Sequence, residues 1–255
     1  MRVKLTLFAE AERARLPFNY QFALASLIYR TLGQGSEEFA ARLHDEGFTS
    51  RSRKFKLFTF SRLDLKIKRS DGGGLELADP HVTLQVSSPV AQFVEHFVEG
   101  LFRSETFSIA DATFRLAGAE TIAPPEFHER MKFRALSPVT ESVDVEGSRH
   151  ARFLDLSDDW SEIVRRNLLH KFRALHGREP EDERLSWTWD REYVAAAERR
   201  GRRLSTLADI HGIKVRGWLA PFSVEGSREL IEIGYEAGYG ARNSMGFGMA
   251  EATHV

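Results

Sequence analysis

What constrains this chain most is the order in which its hydrophobic period switches between two residues and three-to-four. Val3, Leu5 and Leu7 alternate with Lys4 and Thr6, the period of a half-buried strand. Across 20–32, Phe22, Ala25, Ile28, Tyr29 and Leu32 recur at helical steps before Gly33, which predicts an amphipathic helix with a glycine stop. A short helix is predicted at 36–46, with Phe39, Ala40 and Leu43 inward and Gly47 after it. Residues 55–68 read as strand, and the phase of their alternation changes near Ser61 in the manner of a bulge. Asp71-Gly72-Gly73-Gly74 is a turn, and 81–86 returns to strand. Ser88-Pro89 supplies a cap and a first-turn proline to a helix with Val90, Phe93, Val94, Phe97, Val98 and Leu101 as its stripe. Residues 106–116 are strand again.

Strand, helix, strand, strand, helix, strand is the split βαβ order of ferredoxin-like units. Pro124-Pro125 is the best boundary, giving units of 1–124 and 125–255. In the second half, strand is expected at 131–136, helix at 157–175 and an extended stretch at 187–194. Strand material follows in 206–224, then a short helix at 227–236 and a last strand at 247–252. The halves share an order of elements without strong identity. The expected architecture is therefore α+β, two tandem ferredoxin-like (RRM-like) βαββαβ domains.

Composition narrows the chemistry. Hydrophobic residues are 42% of 255, enough for a real core. The absence of cysteine excludes disulfide frameworks, thiolate metal sites and cysteine nucleophiles. Behind Met1-Arg2-Val3-Lys4-Leu5 there is no long apolar stretch, so no signal peptide is expected, and no run approaches a membrane span. The expected location is cytoplasmic. A net charge of −1 argues against a general nucleic-acid binder, yet charge is uneven. Residues 51–70 hold eight basic side chains (Arg51, Arg53, Lys54, Lys56, Arg62, Lys66, Lys68 and Arg69) against one acid, Asp64. Such a run is either a solvated strand face or a track for phosphates.

The most specific motif lies at 238–248: Gly238-Tyr239-Gly240-Ala241-Arg242-Asn243-Ser244-Met245-Gly246-Phe247-Gly248. Closely set glycines let backbone approach backbone or phosphate, and several amides can converge on one anion. Arg242, Asn243 and Ser244 add side-chain donors. No Gly-Lys-Ser/Thr follows, so it is not a P-loop. It follows a helix and precedes a strand, so it is not a dinucleotide fingerprint. A tight glycine turn packed on a sheet remains the ordinary alternative. The paired Gly-aromatic-Gly triplets resemble the repeat-associated RNA-binding (RAMP) superfamily of CRISPR systems. Leu27-Ile28-Tyr29, Leu43-His44-Asp45-Glu46-Gly47, Lys56-Leu57-Phe58-Thr59-Phe60-Ser61 and Leu136-Ser137-Pro138 narrow the resemblance to its repeat-processing endoribonucleases, over nearly the whole chain.

That resemblance implies metal-independent cleavage of precursor CRISPR RNA within its repeats, with Tyr29, His44 and Lys56 in the positions of a catalytic triad. It needs no cofactor. Subunits of a CRISPR effector complex and a second copy of the chain are the further partners it implies. The residue types suit the chemistry, because RNA carries its own nucleophile, the 2′-hydroxyl. Histidine moves protons near neutrality, tyrosine completes a proton-transfer pair or holds the phosphate, and lysine offsets growing charge. Each also has an ordinary reading: a core tyrosine, a polar residue near a helix end, a surface lysine. Lys54 competes with Lys56 as the cation, since eleven residues separate His44 from Lys56.

Phosphate-tracking candidates are Arg51, Arg53 and Lys54, the alternating Arg130, Lys132 and Arg134, and the cluster Arg199-Arg200-Gly201-Arg202-Arg203. From the loop come Gly238, Gly240, Arg242, Asn243, Ser244, Gly246 and Gly248. His81, His96, His128, His150, His170, His176, His211 and His254 show no metal spacing, and no metal is expected. The competing functions are a non-catalytic RNA-binding subunit of an effector complex and a small-molecule phosphate-binding enzyme.

Overall fold

The computed structural model describes residues 1–147, 151–210 and 212–253. Two antiparallel sheets dominate. The first runs Thr59–Phe60, His81–Ser87, Arg2–Ala9, Ala112–Ile122 and Phe107–Ile109. The second runs Leu185–Trp189, Phe222–Gly226, Arg130–Ala135 and Ala250–Thr253. In both, the first and third strands of the βαββαβ order lie side by side, flanked by the fourth and the second. This is the ferredoxin-like arrangement, and the fold is α+β, as the order of periodicities implies. Leu5, opposite Leu84, is fully buried, and Leu7 with it, so the alternation at the N-terminus is the core register of a central strand.

Among the described residues six α-helices accompany the sheets: α1 (Gln21–Gly35), α2 (Glu37–Asp45), α3 (Ala91–Arg103), α4 (Ser161–His176), α5 (Arg191–Arg199) and α6 (Arg228–Ala237). Three have the side-chain N-cap their sequence encodes. Ser36 accepts from the Phe39 amide, Asp190 from that of Tyr193 and Ser227 from that of Leu230. α1 does not stop at Gly33; it continues to Gly35. A glycine is needed elsewhere, where α1 crosses α3: a Cβ on Gly100 would lie 1.8 Å from the Thr31 carbonyl oxygen.

Elsewhere the strands and helices divide differently from the periodicity. The stretch 55–68 is not one strand. Arg53–Phe55 pairs with Phe48–Ser50, Thr59–Phe60 joins the first sheet, and Ile67–Asp71 forms a hairpin with Gly74–Leu77. The phase change at Ser61 is the expected bulge: the Ser61 amide still donates to the Gln85 carbonyl at 2.9 Å, that of Arg62 turns to the Leu136 carbonyl at 3.0 Å, and Asp64 rejoins Thr83 of the same strand one residue out of step. The stretch 106–116 splits at Ala110 (φ 51°) into Phe107–Ile109 and Ala112–Ile122. The stretch 187–194 is the end of one strand plus the first turn of α5, whose Asp190 cap is the overlooked signal. α4 begins at Ser161 rather than 157, and the last strand at Ala250 rather than 247.

Arg2 stitches the two halves together. Its buried guanidinium donates to the carbonyls of Tyr235 and Ala250, both at 2.9 Å, and lies 3.8 Å over the Tyr235 ring.

Candidate functional site

The C-terminal end of α2 organises the first part of the site. Backbone carbonyls at a helix C-terminus lack intrahelical partners and carry the negative end of the dipole, so cations collect there. The Lys56 ammonium donates to the Leu43 carbonyl at 2.7 Å and also to that of His44. Lys54 reaches the Asp45 carbonyl at 3.3 Å. Both lysines arrive on the strand Arg53–Phe55 and the segment after it, where Leu57 has a left-handed φ of 51°. Burial, and after it the neighbouring Lys54 charge, lowers the Lys56 pKa. Two of the three ammonium protons are engaged, which leaves one for a ligand.

His44 sits at the same helix end with its side chain 70% exposed. Its Nδ1 lies 2.9 Å from Asp45 Oδ1. An ionised carboxylate only accepts, so Nδ1 is the donor in this contact, and in the neutral imidazole Nε2 is then the nitrogen with the lone pair. Asp45 is a part of the site that sequence reasoning passed over, although it stands next to His44. Tyr29, on α1, meets the His44 ring edge-on at 5.4 Å between centroids and Phe58 at 5.6 Å. Burial pushes its phenol up to about 12. Tyr29, His44 and Lys56, far apart in sequence, are thus brought to one place.

The glycine-rich loop shares a cleft with Lys54 and Lys56. Gly238, Gly240, Gly246 and Gly248 all have positive φ, from 71° to 90°. At Gly248 a Cβ would lie 2.0 Å from the Tyr239 carbonyl oxygen, so that glycine closes the loop on itself. Tyr239 and Phe247 are fully buried. Asn243 is buried too, donating to the carbonyls of Tyr239 at 3.2 Å and Phe247 at 3.0 Å. These residues shape the loop, while Arg242 and Ser244 line its open side. Ser137 and Pro138 brace it: the Met249 amide donates to Ser137 Oγ at 2.9 Å and the Gly248 amide to the Pro138 carbonyl at 2.8 Å.

Beneath the loop lies Lys171 of α4, donating to the carbonyls of Gly238 at 2.7 Å and Gly240 at 2.8 Å. No sequence signal marked this residue. Its burial lowers its pKa, opposed by the charge of Glu141; burial pushes the Glu141 carboxyl up to about 7. Between loop, α4 and the 53–58 segment opens a cleft of about 380 Å³. Arg53, Lys54, Lys56 and Arg242 supply its charge, Phe55 and Phe58 its aromatic wall, and Asn167 with Lys171 its floor.

The remaining basic candidates differ in how free they are. Arg51, at φ 54° in the turn before Arg53, is exposed. Among the described residues Arg51, Arg53 and Lys54 form no ion pair, although the Arg53 charge acts on the Glu141 carboxyl. By contrast Lys66, Lys68 and Arg69 are ion-paired with Asp79, Glu76 and Asp71. Arg130, Lys132 and Arg134 do form one exposed row, but Arg130 pairs with Glu225 at 3.8 Å and Arg134 with Glu251 at 2.6 Å. Arg199 to Arg203 cluster at the exposed end of α5. His150, His211 and His254 lie outside the described residues. Among the described residues no group of three or more His, Asp or Glu is placed to hold a metal, and no helix is long and apolar enough to cross a membrane.

Comparison with known proteins finds similarity along nearly the whole chain. Residues 122–252 match the family described as CRISPR associated protein Cas6, C-terminal, and residues 15–120 that described as CRISPR-associated protein Cas6, N-terminal. CRISPR-associated endoribonuclease Cas6 1 of Methanocaldococcus jannaschii is 30% identical over 252 residues, covering 98% of this chain and 91% of that protein. CRISPR-associated endoribonuclease Cas6 of Pyrococcus furiosus is 28% identical over 255 residues, covering 98% and 89%. A solved structure of a Cas6-related gene product from Pyrococcus furiosus shares the fold with a TM-score of 0.85 at 24% identity, covering 100% of this chain and 98% of that one.

Proposed function

The chain belongs to the Cas6 family of CRISPR-associated proteins, and from that premise we propose that it is an endoribonuclease cutting precursor CRISPR RNA within its repeats. We further propose that the cut proceeds by 2′-hydroxyl attack without a metal ion. The observation that carries this reading is the convergence of His44, Tyr29 and Lys56 at the end of α2, beside a cationic cleft. In this reading residues 1–124 supply the proton-handling groups and 125–255 the loop that holds RNA.

The chemistry follows from the groups present. His44 Nε2 takes the proton of the 2′-hydroxyl. The oxygen attacks the adjacent phosphorus, the bond to the 5′-oxygen breaks, and that oxygen receives a proton through solvent, to which the imidazole is open. A phenol with a pKa of about 12 stays neutral at pH 7, so Tyr29 acts as a hydrogen-bond donor to the phosphate and not as a base. The unengaged Lys56 N–H and its charge meet the negative charge that builds on the non-bridging oxygens. One such preorganised donor gives about 10²–10³-fold, and general acid–base help about 10²–10⁴-fold. The products carry a 2′,3′-cyclic phosphate and a 5′-hydroxyl. Arg51, Arg53, Lys54, Arg242 and Ser244 position the RNA through its backbone.

The test is incubation of the protein with repeat RNA in EDTA. A single defined cut is expected, abolished when the nucleotide 5′ of the scissile phosphate is 2′-deoxy. Cleavage that persists with the deoxynucleotide, or that requires magnesium, defeats the mechanism. His44→Ala separates this enzyme from a mere RNA-binding subunit: cutting falls by about 10²–10⁴-fold while RNA affinity stays close to wild type.

A further inference from the structure

Beside the cleft, the face of α4 that meets the hairpin of Phe48–Ser50 and Arg53–Phe55 gathers cations and is short of counter-charge. His170 is half-buried there, with its Nδ1 3.2 Å from the Oγ of buried Ser50. Ser50 pairs with Arg53 across the hairpin, and Arg51 follows it in the turn. Arg166 and Arg173 lie one helical turn to either side of His170, on its side of the helix. Burial lowers the pKa of the imidazole, and after burial the charges of Arg53, Arg173, Arg51 and Arg166 lower it further. Arg173 is answered by Glu179 and Glu183, and Arg166 more loosely by Glu162 at 3.7 Å. Arg51 and Arg53 form no ion pair among the described residues, and Glu141, on which the Arg53 charge acts, is buried. The strand Leu185–Trp189, which also packs on α4, bears no charged residue, and Glu229 of α6 is engaged with Arg178.

These groups offer N–H donors and positive charge, so the ligand that suits them is an anion rich in acceptors. A phosphodiester supplies both the charge and the free oxygens. The Ser50 hydroxyl donates or accepts, so its contact with Nδ1 holds whether or not that nitrogen is protonated. His170 Nε2 has no partner among the described residues and is not sealed from solvent, so it is open to such a ligand. Arg53 belongs to two surfaces at once: it lines the cleft that Lys56 and Arg242 also line, and its charge acts on His170. A strand held in the cleft therefore reaches this face of α4 past Arg53.

We propose that His170, with Arg51, Arg53 and Arg166, binds a phosphate of the repeat RNA beside the cleft, and that the imidazole takes up a proton as the phosphate arrives. The proposal rests on the RNA-cleaving reading above and extends the path of the RNA onto α4. In the free protein burial and the arginines keep the imidazole neutral at pH 7. A phosphate offsets the arginines and favours the imidazolium, so the pKa of His170 rises on binding. RNA then binds more tightly as pH falls through the raised pKa, until the free protein is protonated as well. A rise of about one unit makes the gain about tenfold.

The experiment measures binding of the full chain, from about pH 5 to about pH 8, to a repeat RNA made uncleavable by a 2′-deoxynucleotide 5′ of the scissile phosphate. His170→Gln retains a partner for Ser50 and loses the charge. At the alkaline end it is expected to bind close to wild type, and at the acid end about tenfold more weakly. Groups common to both proteins, His44, Glu141 and Lys171 among them, cancel in that comparison. Arg166→Gln should make the slope of log affinity against log salt shallower by about 0.7, the share of one phosphate contact on a single strand. In the unsubstituted protein the NMR titration of the His170 imidazole should move to higher pH when RNA is added, a readout that does not depend on how a variant folds. An imidazole titration that RNA leaves unmoved overturns the proposal, as does an unchanged salt slope in Arg166→Gln. If wild type neither binds nor cuts the repeat, the RNA-cleaving reading fails first and this site with it. If wild type cuts the repeat and His170→Gln shares its pH dependence of binding, this site alone fails.

Discussion

Replacing Lys171 by methionine keeps the length of the side chain and removes its charge and donors. Two hydrogen bonds are lost, to the Gly238 carbonyl at 2.7 Å and the Gly240 carbonyl at 2.8 Å. Charge-assisted hydrogen bonds contribute about 1.5–3 kcal/mol each, and removing one member of a buried charge pair costs about 3–5 kcal/mol. Glu141 softens the second figure. Its carboxyl, pushed up to about 7 by burial, loses the cation that opposed the push, and protonates instead of standing as an unpaired charge. The expected loss is therefore near the lower end, about 3 kcal/mol, out of the 5–15 kcal/mol typical of a whole domain. At about 2–4 °C per kcal/mol for a chain approaching this size, the melting temperature should fall by about 6–12 °C. Urea unfolding of Lys171→Met, Glu141→Gln and the double variant measures it. The double variant should be more stable than the sum of the singles predicts, because the charge that Lys171 compensates is gone. A loss under about 1 kcal/mol in Lys171→Met, or strict additivity, would refute the claim that this buried ammonium holds the loop.

Tyr29→Phe should slow cleavage while leaving the shape of the pH–rate profile between pH 6 and 9 unchanged, since a phenol with a pKa of about 12 does not titrate there; loss of a limb in that range would show that the phenol moves a proton. Lys56→Ala should lower the single-turnover rate by about 10²–10³-fold, and Lys54→Ala by far less, because Lys54 makes only one longer bond at the helix end; equal losses would shift the catalytic role onto the pair. The Asp79 carboxyl is held at about 2, below its ordinary 3.8, chiefly by the His81 amide, then the His81 ring and Lys66. Its contribution is therefore complete above pH 3.8 and lost as pH falls through about 2. Urea midpoints at pH 6 and pH 2 should differ less in Asp79→Asn than in wild type.

Much of the fold was legible because periodicity and caps act locally. Ser36 and Ser227 cap the helices their positions announce, and Leu5 and Leu7 point where their alternation says. What was not legible depends on partners distant in sequence. Residues 55–68 alternate like one strand, yet three different partners claim them in turn, and no local pattern reveals who those partners are. α5 is a different miss: Asp190 caps it locally, directly after the strand Leu185–Trp189, so strand and helix meet inside the stretch 187–194. In the candidate site, Tyr29, His44 and Lys56 came from resemblance, because nothing in their spacing brings α1, α2 and the 53–58 segment together. Lys171 and Asn167 escaped altogether. On paper they are two polar positions of an amphipathic helix, and only burial sets them apart from solvent-facing neighbours such as Arg166.

The glycine-rich loop joins the second half of the chain to the reaction site in the first. Thr59 Oγ1 donates to the Phe247 carbonyl at 2.9 Å, and a Cβ on Gly246 would lie 2.8 Å from the Phe60 ring. The loop therefore docks on the strand Thr59–Phe60, three residues beyond Lys56. So short a tether has little freedom, and the position of the Lys56 ammonium against α2 is fixed together with the seating of the loop. Lys171 then holds the loop from the other side through its carbonyls. In the proposed function, a nucleotide held by Arg242 and Ser244 would be set at a defined distance from Lys56, although the two sides of the cleft come from opposite halves of the chain. This is a physical reason for glycines and buried aromatics at 238–248 where a phosphate-binding loop would otherwise be expected to stay open. The segment is held rigid by packing that only residues without side chains permit, and in the proposed function that rigidity is what would orient RNA.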